Sequence, residues 1–207
     1  MSRTRIKICG LTRPEDIASA VEAGADAIGL VFYPPSARFV TLEQAIELAR
    51  SIPPFVTSVG LFVNPDPSFV RSVVQRVPLQ MLQFHGDESD ADCACFGLPW
   101  IKAARMRPGF DLLEFSALHP GASGLLLDAF VDGFGGAGKT FDWNLIPEGL
   151  GRPLILSGGL DPDNVEAAVR RVVPWAVDVS SGVESAKGIK CAERMRAFIS
   201  GVRNANG

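Results

Sequence analysis

The sequence predicts an α/β protein built as a single (βα)8 barrel of near minimal length. A short apolar, β-branched run followed by a helical stretch recurs eight times along the 207 residues. Such alternation indicates a parallel sheet, whose strands are buried on both faces and form continuous apolar runs. Leu125–Leu127 and Leu154–Leu156 are runs of this kind. Units of roughly 26 residues in a 207-residue chain lie near the lower limit for a closed TIM barrel.

The first four units follow from apolar periodicity and from residues that begin or end helices. Pro14 in the first turn and Gly24 after the last turn bound the first helix, and Thr12 is its predicted N-cap. Thr41 is the predicted N-cap of the second helix, which carries Glu43 in its first turn. The predicted strands are Arg5–Cys9, Asp26–Val31, Val56–Val63 and Gln80–Phe84, and the predicted helices are Pro14–Ala23, Thr41–Ser51, Ser68–Arg76 and Glu88–Cys95.

The last four units are less regular. The sixth helix is hard to see, and at most one turn is predicted for it, at Asp142–Leu145. The weak fifth and sixth helices leave a doubly wound open sheet as the alternative architecture. No boundary linker is visible, so residues 1–207 are predicted to form one domain. The predicted strands are Trp100–Ala104, Gly124–Asp128, Pro153–Leu156 and Ala176–Val179, and the predicted helices are Phe110–Ala117, Asp163–Val172 and Lys190–Val202.

Composition argues against several classes of partner. The net charge of −3 without a long basic run argues against nucleic acid. Apolar stretches are no longer than strands, and the first ten residues lack the apolar core of a secretory signal, so we expect no membrane association and a cytoplasmic protein. The cysteines and two histidines show no metal-ligand spacing, which predicts reduced thiols and no metal. The cysteines are Cys9, Cys93, Cys95 and Cys191.

Two segments rich in glycine and serine follow the seventh and eighth strands. Residues 157–159 and 180–182 occupy the loops that usually bind phosphate in this fold, where exposed N–H groups approach an anion. A tight turn is the alternative for the glycine pair. Asp178 is expected to orient the eighth loop without touching phosphate, because a carboxylate would repel a dianion. The predicted phosphate-binding residues of these loops are Gly158, Gly159, Asp178, Ser180, Ser181 and Gly182.

A third glycine-rich segment has the letters of a nucleotide-binding P-loop. Residues 133–140 satisfy the pattern G-x-x-x-x-G-K-[ST]. A long stretch separates them from Asp128 at the strand end, and at best a very short helix follows, whereas a P-loop needs a firm helix. We therefore predict a loop that closes over a substrate, with Gly136 and Gly138 as further phosphate-binding residues.

Two strand ends carry candidates for acid–base chemistry. Lys7 and Cys9 point the same way on the first strand, and a neighbouring ammonium should lower the pKa of the thiol. Cys9 is therefore a candidate base or nucleophile, with a small buried residue as the alternative. Asp128 ends a wholly apolar strand, where desolvation would favour the protonated form of a general acid. A structural hydrogen-bonding role is the alternative for Asp128.

Two further polar residues fall in the loops at this end. Arg38 follows a turn-rich segment, where its guanidinium could bind a substrate carboxylate through two hydrogen bonds. A solvated surface arginine is the alternative. His85 is assigned to substrate binding, with a purely structural hydrogen bonder as the alternative.

Six motifs, in order along nearly the whole chain, together resemble those of the phosphoribosylanthranilate isomerase family. Six motifs in the right order are far more specific than any one of them. They are Lys7-Ile8-Cys9-Gly10-Leu11, Gln83-Phe84-His85-Gly86-Asp87-Glu88, Leu127-Asp128, residues 135–143, Leu156-Ser157-Gly158-Gly159-Leu160 and Asp178-Val179-Ser180-Ser181-Gly182-Val183-Glu184.

The resemblance implies an enzyme of tryptophan biosynthesis that acts on a small phosphosugar. It implies an Amadori rearrangement of N-(5-phosphoribosyl)anthranilate, with Cys9 as general base and Asp128 as general acid. Arg38 matches the arginine that contacts the anthranilate carboxylate, and the seventh and eighth loops match the phosphate site. No cofactor or metal is implied. We expect a monomer or a homodimer.

Two other functions are kept as alternatives. A related barrel isomerase of histidine biosynthesis typically has an aspartate where this chain has Cys9, and this chain shows no obvious twofold repeat of the phosphate motif. A non-catalytic phosphosugar-binding barrel would keep the glycine-rich loops. Such a protein has no need of both Cys9 and Asp128 at strand ends.

Overall fold

A closed barrel of eight parallel strands forms the centre of the computed structural model, which describes residues 3–130 and 140–207. The strands follow one another in sequence order, and the last pairs with the first. This closure confirms the predicted (βα)8 barrel and excludes the open sheet. The strands are β1 (Arg5–Cys9), β2 (Ala27–Val31), β3 (Thr57–Phe62), β4 (Met81–Phe84), β5 (Trp100–Met106), β6 (Gly124–Ala129), β7 (Leu154–Leu156) and β8 (Ala176–Val179).

Helices connect the strands on the outside of the barrel. Between β6 and β7 the described residues contain a single 3-10 turn, Trp143–Leu145, as the sequence predicts. A second 3-10 turn, Ser181–Val183, follows β8 and leads into an antiparallel hairpin of β9 (Glu184–Ala186) and β10 (Ile189–Lys190), which the sequence analysis does not predict. The helices are α1 (Pro14–Ala23), α2 (Leu42–Arg50), α3 (Pro67–Arg76), α4 (Asp90–Ala94), α5 (Leu112–Leu118), α6 (Val165–Val172) and α7 (Ala192–Asn206).

The predicted helix ends have mixed outcomes. Thr41 caps α2 in a capping box with Gln44, and Gly24 ends α1 with a φ of 107°. The predicted cap at Thr12 is wrong, because Arg13 occupies the N-cap position and makes no side-chain cap. The Thr12 hydroxyl instead donates to the carbonyl of Gly188 at 2.8 Å, in the connection between β9 and β10.

Strand alternation divides the buried residues between two faces of the barrel wall. One face packs against the helices through a large apolar cluster that includes Ile8, Phe62 and Phe84. A smaller apolar cluster occupies alternate positions of β5 to β8, including Ala103 and Leu126. Because successive side chains of a strand point to opposite faces, this second set lines the barrel interior.

The same alternation decides which polar side chains reach the interior. The interior set includes Gln83, Asp128 and Asp178, which lie two residues from interior positions of their strands, and Lys7 and Cys9, which alternate with the helix-facing Ile6 and Ile8. No helix in the described parts of the chain is long and apolar enough to cross a membrane.

Candidate active site

The first part of the site lies where β1 pairs with β8. Lys7 is the register partner of Asp178, and its Nζ donates to Asp178 Oδ1 at 2.7 Å. Ser157, after β7, donates to the other carboxylate oxygen of Asp178 at 3.3 Å. Lys7 also hydrogen-bonds the thiol of Cys9, which is 4% exposed. One ammonium is thus shared between the candidate base and a carboxylate.

The electrostatics of this pair correct the predicted pKa of Cys9. Burial raises the pKa of the Cys9 thiol, and the Asp178 carboxylate raises it further, while Lys7 lowers it. The net direction is upward, so the prediction that Lys7 gives a lowered thiol pKa is wrong for the unliganded protein. Burial lowers the pKa of Lys7, but Asp178 and Cys9 raise it more, and the ammonium stays charged.

The second part of the site is a chain of three side chains from β4 and β6. Gln83 Nε2 lies 3.1 Å from His85 Nδ1, and His85 Nε2 lies 3.1 Å from Asp128 Oδ2. With the Gln83 amide in this orientation, Nδ1 accepts a hydrogen bond and Nε2 carries the proton. His85 therefore donates to Asp128.

Gln83 is a site residue whose only signal in the sequence is its place in the motif of residues 83–88. It is fully buried, and its Oε1 has no hydrogen-bond partner among the described residues. A buried amide with an unpaired oxygen lowers the stability of the fold, since buried polar groups are normally hydrogen-bonded, so we expect a functional reason for it. Its contact with His85 provides one, because it fixes the tautomer of the ring that touches Asp128.

Glycine at position 158 lets the seventh loop approach the candidate acid closely. A Cβ there would lie 2.6 Å from the backbone nitrogen of Ala129 and 2.9 Å from Asp128 Oδ1, and the φ of Gly158 is +80°. The N–H groups of Gly158 and Gly159 have no acceptor within residues 3–130 and 140–207. Free N–H groups on successive residues of positive φ suit an anion.

The eighth loop packs directly on the seventh. A Cβ at Gly182 would meet the carbonyl oxygen of Leu160, so only glycine fits this contact. Ser180 donates to the carbonyl oxygen of Cys9 at 3.0 Å, and Ser181 begins the 3-10 turn that follows β8. The two glycine-rich segments thus form one continuous edge, next to the end of β1.

Arg38 reaches the same mouth from the loop after β2. Its Nε and Nη2 donate to Glu184 Oε1 and Oε2 at 2.7 and 2.8 Å, and its side chain is 13% exposed. Lys190 donates to Glu184 Oε1 at 2.8 Å. The alternative of a solvated surface arginine is therefore wrong. Glu184 and Lys190 belong to the β9–β10 hairpin. Because the hairpin is not predicted from the sequence, the contact of these two residues with Arg38 is not predicted either.

Some predicted features lie elsewhere or outside the described residues. Lys102 lies within β5, and its side chain faces away from the interior and donates to Glu88 at 2.8 Å. Gly136 and Gly138 fall within residues 131–139, which the structure does not describe, so their phosphate contact stays a prediction. Within the described residues no group of three or more potential ligands could hold a metal ion.

Comparison with known proteins gives one consistent family. The family model described as N-(5'-phosphoribosyl)anthranilate (PRA) isomerase matches residues 6–201. The N-(5'-phosphoribosyl)anthranilate isomerase of Leptothrix cholodnii is 61% identical over 205 residues, which cover 99% of this chain and 93% of that protein.

Solved structures agree with the sequence matches. A phosphoribosyl anthranilate isomerase in complex with reduced 1-(o-carboxyphenylamino)-1-deoxyribulose 5-phosphate superposes with a TM-score of 0.83 at 38% identity, over 97% of this chain and 99% of that one. Monomers of the dimeric phosphoribosylanthranilate isomerase from Thermotoga maritima superpose with a TM-score of 0.85 at 38% identity and the same coverage.

These matches run from the first strand into the last helix and include all six motifs. They confirm the resemblance seen in the ordered motifs of the sequence. The chain belongs to the N-(5'-phosphoribosyl)anthranilate isomerase family.

Proposed function

We propose that this chain catalyses the Amadori rearrangement of N-(5-phosphoribosyl)anthranilate to 1-(o-carboxyphenylamino)-1-deoxyribulose 5-phosphate in L-tryptophan biosynthesis. One observation carries the proposal beyond family membership. Asp128 on β6 and Cys9 on β1 lie on the inner face at one mouth, and the glycine-rich loops after β7 and β8 lie between these strands around the barrel. Acid, anion site and base therefore lie around the same mouth of the barrel.

The reaction needs one group that gives a proton and one that takes a proton. Asp128, in its protonated form, donates to the furanose ring oxygen, and the ring opens to a Schiff base. Cys9, as the thiolate, removes the proton from C2′ to give an enolamine, which tautomerises to the ketone. His85 Nε2–H stabilises the Asp128 carboxylate left by the first step, since the two groups are 3.1 Å apart. Lys7 balances the charge of the thiolate.

The substrate carries a phosphate at one end and a carboxylate at the other, and the mouth of the barrel offers a separate group of hydrogen-bond donors for each. We assign the phosphate to the N–H groups of Gly158 and Gly159, which have no acceptor among the described residues, and to the adjoining loop of Ser180, Ser181 and Gly182. Asp178 holds Lys7 and Ser157, so its side chain shapes this loop without binding the phosphate. Arg38 takes the anthranilate carboxylate.

The test is an assay of the purified protein with freshly generated substrate, whose anthranilate fluorescence falls on turnover. Cys9→Ser and Asp128→Asn are each expected to lose about a hundredfold or more in kcat, the usual contribution of a general acid or base. Cys95→Ser changes an exposed thiol of the α4 C-terminus and is the matched control. Near-normal turnover in either site variant would remove that residue from its role, and an inactive wild-type protein would refute the function.

We also propose that the protein works in the cytoplasm as a monomer or a homodimer. Its four cysteines are free, which suits a reducing compartment. The relative from Thermotoga maritima is described as dimeric, and monomers generated from it have been solved. Sedimentation equilibrium that gives a trimer or larger assembly would contradict the second part, and recovery of the protein outside the cytoplasmic fraction of cells would contradict the first.

A further inference from the structure

The cluster of Arg38, Glu184 and Lys190 places three charged side chains at the mouth of the barrel, and the reaction steps use only one of them. We propose that Glu184 and Lys190 are positioning residues that fix the Arg38 guanidinium and its charge for the carboxylate of the substrate's aromatic ring. The inference rests on the proposed function and adds two specificity-determining residues to the site.

The first argument is the geometry of the guanidinium. Glu184 occupies one edge of the Arg38 fork, with Nε at 2.7 Å and Nη2 at 2.8 Å from its two oxygens. Nη1 has no acceptor among the described residues. Because the guanidinium is planar and rigid, holding one edge sets the direction of the other. A second carboxylate can then bind the free edge without reordering a long side chain.

The second argument is the local charge. Arg38 and Glu184 alone would cancel, and an uncharged pair attracts an anion weakly. Lys190 is 0% exposed and donates to Glu184 Oε1 at 2.8 Å, so the cluster keeps one net positive charge. Burial reduces screening by salt, which makes this charge effective at short range. A cluster needed only for packing would not require a buried ammonium, since apolar side chains can replace buried ion pairs without loss of stability.

The third argument is the link between Lys190 and the rest of the site. Its Nζ also donates to the Ser180 carbonyl at 3.1 Å and lies 3.3 Å from Ser180 Oγ. Ser180 in turn donates to the carbonyl of Cys9. On the other side, a Cβ at Gly10 would lie 2.5 Å from Arg38 Cδ, so the arginine stem crosses the residue next to Cys9. These contacts fix the position of the Arg38 guanidinium, and so of the carboxylate it binds, relative to Cys9.

The test compares two ligands that differ only in the carboxylate. The probes are reduced 1-(o-carboxyphenylamino)-1-deoxyribulose 5-phosphate and its counterpart without the ring carboxylate, with affinities from calorimetry. Glu184→Asp keeps the charge but is one methylene shorter and cannot hold both cations in place. We expect it to lower the preference for the carboxylated probe about tenfold, the scale of a charged hydrogen bond, with affinity for the other probe unchanged. KM should rise by the same factor with kcat nearly constant.

A second variant separates orientation from charge. Glu184→Gln with Lys190→Met keeps one net positive charge on the cluster but removes both positioning residues, and it should also lose the preference. Glu166→Gln, which alters a half-buried glutamate paired with the exposed Arg170 on α6, is the control for the loss of a surface ion pair. Equal loss of affinity for both probes, or an unchanged preference in both variants, would overturn the inference. A wild-type protein that binds neither probe and shows no turnover would instead refute the proposed function.

Discussion

At the scale of single residues, Asp178 opposes the effect of Lys7 on the candidate base, Cys9. Lys7 has a lower net influence on Cys9 than its proximity suggests, because the carboxylate neutralises much of its field. The unliganded protein therefore has a neutral thiol beside an ammonium whose charge is balanced by the Asp178 carboxylate. Deprotonation of Cys9 needs no new charge partner, because the ammonium is already in place.

Replacement of Asp178 by asparagine should lower the pKa of Cys9. The carboxylate raises the pKa of the thiol, so its removal leaves Lys7 to act on sulfur alone and stabilises the thiolate. We expect alkylation of Cys9 by iodoacetamide at pH 7.5 to accelerate about threefold or more, since the thiolate is the reactive form. Peptide mass spectrometry follows Cys9 separately from the other cysteines.

Ser157→Ala is the matched control, because it removes the other contact of Asp178 without changing charge. The rate of Cys9 alkylation at pH 7.5 in this variant should stay close to that of the wild type. An alkylation rate of the Asp178 variant that equals or falls below that of the wild type would contradict the effect of the carboxylate on Cys9.

At the scale of the helix, two C-terminal caps have the same left-handed backbone conformation but different residue types. Both α1 and α6 end in a left-handed residue, which is Gly24 in α1 and Val173 in α6. Val173 has a φ of 48° and is 73% exposed, so a β-branched side chain is held in a strained conformation with little burial in return.

Val173→Gly should therefore raise the free energy of unfolding by about 1 kcal/mol. Glycine relieves the backbone strain, and this gain is partly offset because the unfolded chain is more flexible with glycine. Urea unfolding measures the change. Gly24→Ala should have the opposite sign, because its φ is 107° and a Cβ would collide with the Arg203 guanidinium. A destabilised Val173 variant would show that its side chain contributes more than its exposure indicates.

Element prediction succeeds or fails according to the range of the signal. The α2 cap depends on Thr41 and Gln44, three residues apart, and local pattern finds it. The cap at Thr12 fails because the hydroxyl bonds to Gly188, 176 residues away. The β9–β10 hairpin is equally hidden, since its two short strands lack the length and alternation that mark a strand.

At the scale of the whole molecule, closure of the barrel decides which residues meet. Asp128 precedes the seventh and eighth loops in sequence, whereas Cys9 lies near the other end of the chain. Pairing of β8 with β1 brings Cys9 next to those loops, and the Lys7–Asp178 ion pair joins the same two strands across 171 residues. An open sheet would leave the candidate acid and base at separate places along its edge.

The sequence by itself determines the repeated strand–helix units, the ordered motifs and the candidates Cys9, Asp128 and Arg38, because these depend on residues close together along the chain. Tertiary structure alone decides the upward shift of the Cys9 pKa, the contacts of His85 with Gln83 and with the acid Asp128, and the pairing of Arg38 with Glu184. Burial and electrostatic coupling depend on distances in space, and barrel closure sets those distances between residues as far apart in sequence as 38 and 184.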